Sequence, residues 1–296
     1  MRARLAITLG DPRGIGPEVV RKALADDRVR EAVEATIVGP DGTEMVADLA
    51  VGSWARGGTA ADAGRLAGLA IERAVRLAKS GAVAGIVTAP IDKQALHAGG
   101  YDYPGHTEML AALTESRTAM MLASEKLRVV LATTHIPLRE VPAAVTRDAI
   151  ESAARVTIAG LRDWFGIATP RVALCGMNPH LGDGGRFGSD DADLLAPAAR
   201  AAGIAGPFSA DTVFVRAMRG EFDAVIAPYH DIGMTAIKVA SFGSAVNVTL
   251  GLPFPRTSPD HGTALDIAGQ GRADPGSMIE AVLCCARIAT ATASLG

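Results

Sequence analysis

The chain has 296 residues, about half of them apolar but only 4% aromatic, with a formal charge of −3. That length suffices for two cores, and the charge gives no overall attraction to nucleic acid or an anionic membrane, although a local cationic pocket for a small anion remains open. Three cysteines form neither a disulfide framework nor a zinc-ligand pattern, no apolar run reaches the roughly 20 residues of a membrane helix, and the first ten residues lack signal-peptide composition, so a cytoplasmic, membrane-free protein is expected.

In chain order, the apolar run Leu5 to Leu9 leads into Gly10-Asp11-Pro12-Arg13-Gly14-Ile15-Gly16-Pro17-Glu18. This turn is neither a Walker A loop nor a GxGxxG fingerprint. Its glycines permit a tight strand-to-helix turn, and free amides at a following helix start suit an anion. Ala35 to Val38 stops at Gly39-Pro40, and Trp54 to Ala61 reads as a surface loop. Ala61 to Lys79 carries the helical stripe Ala67, Ile71, Ala74 and Ala78, with Gly81 as its stop. Val83 to Val87 ends at Thr88-Ala89-Pro90, and Val129 to Ala132 ends at Thr133-Thr134-His135. A helix over Arg147 to Leu161 precedes Val172 to Leu174, which runs into Gly176-Met177-Asn178-Pro179-His180. A further Ala-rich helix over Ala192 to Ala202 precedes Ala224 to Ala227, which ends at Pro228-Tyr229-His230-Asp231.

Alternating strands and helices predict a largely parallel α/β sheet with helices on both faces. Such sheets bind ligands beyond the carboxyl ends of their strands, where His135, His180 and His230 fall. Neutral imidazoles at those ends suit a divalent ion with a position left for substrate, and Asp231 or Asp211 could orient a ligand. The alternative is that one or two of them hydrogen-bond at a strand end or touch substrate. Lys238 and Arg256, with His106, are the candidate anion contacts. Asn247, in the apolar run Val246 to Leu250, needs a partner for its amide, either substrate or neighbouring backbone. The stretch from Asp260 to Pro275, with Gly262, Gly269 and Gly271, could wrap a ribose-containing ligand or serve as a structural loop.

The ordered set Gly10-Asp11-Pro12, Gly105-His106-Thr107-Glu108, Thr134-His135-Ile136-Pro137-Leu138, Asn178-Pro179-His180, Gly184-Gly185-Arg186-Phe187-Gly188, Asp211-Thr212, Tyr229-His230-Asp231 and Thr257-Ser258-Pro259-Asp260-His261-Gly262 spans almost the whole chain. It resembles the 4-hydroxythreonine-4-phosphate dehydrogenase family of vitamin B6 biosynthesis and its phosphothreonate relatives. The resemblance implies a two-lobed, three-layer α/β/α fold of the isocitrate and isopropylmalate dehydrogenase type. Its lobes would run over 1–125, 126–254 with the metal and dimerisation elements, and 255–296 returning to the first lobe. It implies a homodimer with active sites at the subunit interface, and one zinc, magnesium or cobalt ion on His135, His180 and His230, with ligands from both subunits. Substrate contacts map to His106, Thr107, Lys238, Asn247 and Arg256, and catalytic roles to Asp211 and Lys238. NAD, or NADP, would lie on His261, Gly262, Thr263, Ala264, Asp266 and Asp274. The implied reaction is oxidation of 4-phosphohydroxy-L-threonine at C3 with decarboxylation to 3-amino-2-oxopropyl phosphate. The alternatives are 4-phospho-D-threonate or 4-phospho-D-erythronate, giving dihydroxyacetone phosphate, and a non-catalytic protein that binds a phosphorylated ligand. Ile232-Gly233, where the family commonly has glutamine after the aspartate, and Ala236 leave the C2 substituent open between amino and hydroxyl.

Overall fold

The computed structural model describes residues 2–241 and 244–293. The chain divides into two compact α/β units, one of Met1–Ser116, Val246–Val248 and Leu252–Gly296, the other of Arg117–Ala245 and Thr249–Gly251.

The first unit contains β1 (Ala3–Thr8), α1 (Gly16–Leu24), α2 (Asp27–Ala32), β2 (Val33–Asp41), β3 (Leu49–Ser53), α3 (Ala60–Lys79), β4 (Gly85–Thr88), α4 (Lys93–Ala98) and α5 (His106–Thr114). The second contains β5 (Ala119–Ala123), β6 (Arg128–Leu131), α6 (Val141–Ala144), α7 (Arg147–Asp163), β7 (Val172–Cys175), α8 (Ala196–Ala202), β8 (Ala205–Phe208), α9 (Ala210–Met218), β9 (Ala224–Ala227) and α10 (His230–Ser241). Strand β10 (Val246–Leu250) contributes residues to both, and β11 (Arg256–Ser258) and α11 (Gly276–Ala293) belong to the first.

In the first unit the strands lie in the order β3, β2, β1, β4, β11, all parallel, with β10 antiparallel on β11. Both faces of β1 and β4 are covered, and so these strands read as continuous apolar runs instead of alternating ones. Leu5, Ile7, Leu9, Leu66, Ile71 and Val87 are almost fully excluded from water, and each such side chain stabilises the fold by roughly 1.5–3 kcal/mol. In the second unit the order is β5, β6, β9, β7, β8, antiparallel at β5–β6 and parallel elsewhere. Its core joins Leu122, Val129, Leu131, Val225 and Phe214. Among the described residues no helix is long and apolar enough to cross a membrane.

Helix α3 follows from its sequence. The Thr59 hydroxyl accepts from the Asp62 N–H while the Asp62 carboxylate accepts from the Thr59 N–H, a capping box that fixes the start. Ala63, Leu66, Ala67, Ala70, Ile71 and Ala74 recur at helical spacing and are buried. Gly81, at φ 72°, takes the left-handed turn beyond the end. The expected helix from Ala192 differs, because Asp191–Leu195 forms a π turn before α8 begins. The buried Asp191 carboxylate is turned back to accept from the Met177 and Asn178 N–H groups at 2.7 and 3.0 Å, and a local π insertion accommodates that reach.

Helix α4 seats directly on α3 at Gly64, where an added Cβ would stand 1.7 Å from the Ala95 carbonyl oxygen. Gly64→Ala should therefore destabilise the protein by about 1–3 kcal/mol through overpacking, despite the gain of up to ~1 kcal/mol in helix propensity. Denaturant unfolding measures the balance; a more stable variant would refute the close approach.

Candidate active site

The first unit places a cationic group of side chains on one face of its sheet. Arg256 sits opposite Ile86 on β4, and Asn247 opposite Ser258. Because side chains alternate along a strand, Arg256, Ser258, Asn247 and Thr88 all point to the same side. The guanidinium is buried at 2% exposure, and its Nη2 donates to Thr88 Oγ1 at 2.5 Å. Burial pulls the Arg256 pKa down to about 10, partly opposed by Cys285 and Glu108, and so it stays charged at neutral pH.

His106 and Thr107 open α5, whose first turn has Gly105 as its cap and no side chain closing its N–H groups. The positive end of that helix adds to the cationic character. His106 Nε2 is buried without a hydrogen-bond partner, as is Asn247 Oδ1. Burial, then the charges of Arg256 and Lys93, hold His106 well below the ordinary histidine range, so it is neutral at pH 7. Lys93 passes close by: a Cβ on Gly105 would lie 3.6 Å from its Cε. Lys93 carries no motif of its own, although it follows the strand end Thr88-Ala89-Pro90 just as the histidines follow theirs. Its helix is capped by Asp92, which accepts from the Gln94 and Ala95 N–H groups.

Asp92 in turn meets Arg13 at 3.2 Å, and Arg13 forks onto the buried Asp11 through Nε and Nη2 at 3.0 and 2.7 Å. The glycine-rich turn after β1 thus acts as a polar brace between strand ends. The Ile15 N–H donates to the Thr263 carbonyl at 2.9 Å, which brings the 261–274 stretch against that turn. Within the stretch, His261 Nδ1 lies 3.0 Å from the Gly262 carbonyl while its Nε2 is buried and unpartnered, and nothing stands within 4 Å of an added Gly262 Cβ. Ala264 has φ 42°, and the Asp274 carboxylate accepts from the Gly276 N–H at the start of α11. Asp266 is exposed. A buried imidazole nitrogen beside open space suits a polar ligand such as a dinucleotide.

In the second unit His135 follows β6, and its ring lies 5.3 Å from that of His230, the first residue of α10. His230 Nδ1 is 3.0 Å from the Asp231 carboxylate, which favours the tautomer with Nε2 available to a ligand. Lys238 lies eight residues further along α10, about 12 Å of helical rise, and Asp211 is exposed in the first turn of α9. His180 stands apart in its backbone: His180, Leu181, Gly182, Asp183 and Gly184 are five successive left-handed positions. Each non-glycine residue there costs roughly 1–2 kcal/mol. The Asp191 contacts and the Asn178 amide donating to Asp190 at 3.0 Å hold this segment in place. Among the described residues no group of three His, Cys, Asp or Glu side chains stands ready to hold a metal. The donor chemistry suits a divalent ion, with two adjacent imidazoles and a carboxylate behind one of them, but one chain brings together His135 and His230 and not all three histidines.

The chain matches the family model described as pyridoxal phosphate biosynthetic protein PdxA over residues 15–285. It is 42% identical to a 4-hydroxythreonine-4-phosphate dehydrogenase of Desulfosudis oleivorans, covering 95% of this chain and 94% of that one. It is 41% identical to a D-threonate 4-phosphate dehydrogenase of Cupriavidus necator, covering 97% of each. A crystal structure of 4-hydroxythreonine-4-phosphate dehydrogenase from Klebsiella pneumoniae aligns at a TM-score of 0.86 and 40% identity, covering 97% of this chain and 99% of that one. Isocitrate dehydrogenase from Methylococcus capsulatus shares the fold, at a TM-score of 0.51 and 18% identity over 94% of this chain and 83% of that one.

The depressed His106 pKa has a sign that can be tested. An unfolded histidine takes up its proton near pH 6.5 while the folded His106, with its Nε2 buried, does not. The stability it contributes is therefore complete above that pH and is lost as pH falls toward the folded value. His106→Gln should flatten the acid side of the stability curve between about pH 6.5 and 5. Equal slopes for the two proteins would refute a neutral His106.

Proposed function

The chain belongs to the PdxA family of 4-hydroxythreonine-4-phosphate dehydrogenases, and from that premise we propose that it oxidises 4-phosphohydroxy-L-threonine at C3 and releases carbon dioxide to give 3-amino-2-oxopropyl phosphate. It is an enzyme, an NAD-dependent oxidoreductase acting on a phosphorylated hydroxy acid. The observation that carries the substrate reading is the buried cationic face around Arg256 with the orphaned atoms of His106 and Asn247. The Arg256 fork engages two oxygens of the substrate's phosphate or carboxylate. Lys93 adds a second positive charge, and the Thr107 N–H and hydroxyl add donors at the start of α5. Neutral His106 can donate through Nε2, and Asn247 Oδ1 accepts from a substrate O–H or N–H. Together they fix the orientation of the reacting carbon, which has catalytic value beyond affinity.

NAD, held by His261, Gly262, Thr263, Ala264, Asp266 and Asp274, supplies the hydride acceptor when bound; NADP is the alternative. A zinc, magnesium or cobalt ion on His135, His180 and His230 would supply charge stabilisation at the substrate oxygens. Asp231 keeps His230 in the binding tautomer, while Lys238 and Asp211 handle the proton of the C3 hydroxyl and contact the C2 substituent. We read the enzyme as a cytoplasmic homodimer whose sites take ligands from both copies. The exposure of Leu138, Phe187 and Val239, each near one of the histidines in sequence, supports a covered surface there. The fold-level likeness to isocitrate dehydrogenase supports assigning the two units to that dehydrogenase type.

A second substrate, 4-phospho-D-threonate, is kept as the alternative on one observation. Identity to the D-threonate 4-phosphate dehydrogenase is 41%, against 42% for a 4-hydroxythreonine-4-phosphate enzyme, so overall similarity does not separate amino from hydroxyl at C2.

Four measurements test this reading. Metal-loaded protein should form NADH with a phosphorylated hydroxy acid, and kcat/KM for the amino and hydroxy acids side by side identifies the substrate; no NADH with any of them would overturn the reading. His180→Ala should lose most bound metal and most activity with the fold retained, whereas full metal content would remove His180 from the ligand set. Arg256→Lys should raise the KM for the phosphorylated acid about tenfold or more, since a point charge replaces a fork. His261→Ala should raise the KM for NAD with little effect on that for the acid.

A further inference from the structure

The cofactor stretch is tied to α1 at two places. At its start, the Ile15 N–H holds the Thr263 carbonyl, and Gly14 is packed so closely that a Cβ there would lie 2.7 Å from that same oxygen. At its end, the Lys22 ammonium donates to the Gly271 carbonyl at 3.0 Å, the Ala273 carbonyl at 2.7 Å and Glu18 Oε1 at 2.8 Å. Those three bonds use all the donors of a lysine. Glu18 Oε1 also accepts from the Ala273 N–H at 2.9 Å.

Glu18 is wholly buried at one turn's distance from Lys22. Burial alone would raise its pKa, but Lys22 and the backbone N–H groups of Ala273 and Gly271 outweigh burial and hold it below the ordinary value. A buried carboxylate needs such partners, and here Lys22 comes from α1 while the Ala273 N–H comes from the loop, both meeting Oε1.

We propose that Glu18 and Lys22 are positioning residues for NAD, a latch that holds the 263–273 loop in its binding conformation before the cofactor arrives. This rests on the reading of that loop as the cofactor loop. Neither side chain needs to touch the dinucleotide. Their action is to remove in advance the ordering that binding would otherwise require.

The test compares Glu18→Gln, which keeps an acceptor for the Ala273 N–H but loses the charge, with Lys22→Met and Lys22→Arg in the metal-loaded enzyme. In Glu18→Gln and Lys22→Met the KM for NAD should rise about tenfold, with kcat at saturating NAD and the KM for the acid changed less than twofold. Amide exchange should quicken in the peptide covering 263–273, and Lys22→Arg should recover most of the NAD affinity. An unchanged KM for NAD in both variants overturns the latch, as does a parallel rise in both KM values, which would mean general loosening. His261→Ala separates the two ideas. If it weakens NAD while the latch variants do not, the cofactor reading stands and the latch falls. If it leaves the KM for NAD unchanged, the cofactor reading itself fails.

Discussion

The burial of one guanidinium organises the first unit. Arg256 lies on a three-residue strand between β4 and β10, almost without solvent, yet remains charged. A charge in that position is tolerable only within a polar surround, and the neighbouring elements supply one. Thr88 contributes a hydroxyl from β4, Glu108 a negative charge from α5, and Asn247 an amide from the facing strand. The proposed anion site is thus a consequence of how the sheet closes, since the same register that seats Arg256 aligns Thr88 and Asn247 on its face.

The second unit handles its polar residues differently. Its histidines lie at or just beyond strand ends, and order comes from carboxylates that accept from backbone N–H groups or imidazole. Asp191 and Asp231 are of this kind. The left-handed run at His180 to Gly184 is strained backbone beside a functional candidate, a pattern expected where surrounding contacts over-determine a conformation. The two units therefore hold different candidate residues, with Arg256, His106, Asn247 and the 261–274 stretch in one and the histidine pair and Lys238 in the other.

Much of this was legible from residue pattern. The strands around β1, β2, β6, β7 and β9 announce themselves by short apolar runs ended by Gly, Pro or His, and α3 by its stripe and stop. Other elements could not be seen in this way. β11 is three residues, Arg-Thr-Ser, and a polar triplet becomes a strand only because β4 and β10 flank it. The Glu18–Lys22 pair looks like ordinary helix-surface charge until contacts some 250 positions away in the chain are known, and Lys93 does so until Gly105 and His106 are placed beside it. Asp191 carried a weak signal, in the density of Gly and Asp between Asn178 and Asp193 that disfavours ordinary helix. The histidines were found as candidates because each follows a strand, but placing them there could not say how many meet within one chain.

The contact between α3 and α4 carries a consequence for the charge it positions. Gly64 presses on the Ala95 carbonyl, and a Cβ on Gly99 would stand 2.2 Å from the Arg65 nitrogen, so two glycines let the backbones touch. Lys93 opens α4, and its location is therefore gauged largely by atomic radii. Steric contact is indifferent to ionic strength and to protonation, whereas a charge placed by exposed ion pairs drifts with both. For the proposed anion site, the first unit thus sets a salt-sensitive attraction on a salt-insensitive mount, which would separate how strongly an anion is drawn in from where it comes to rest.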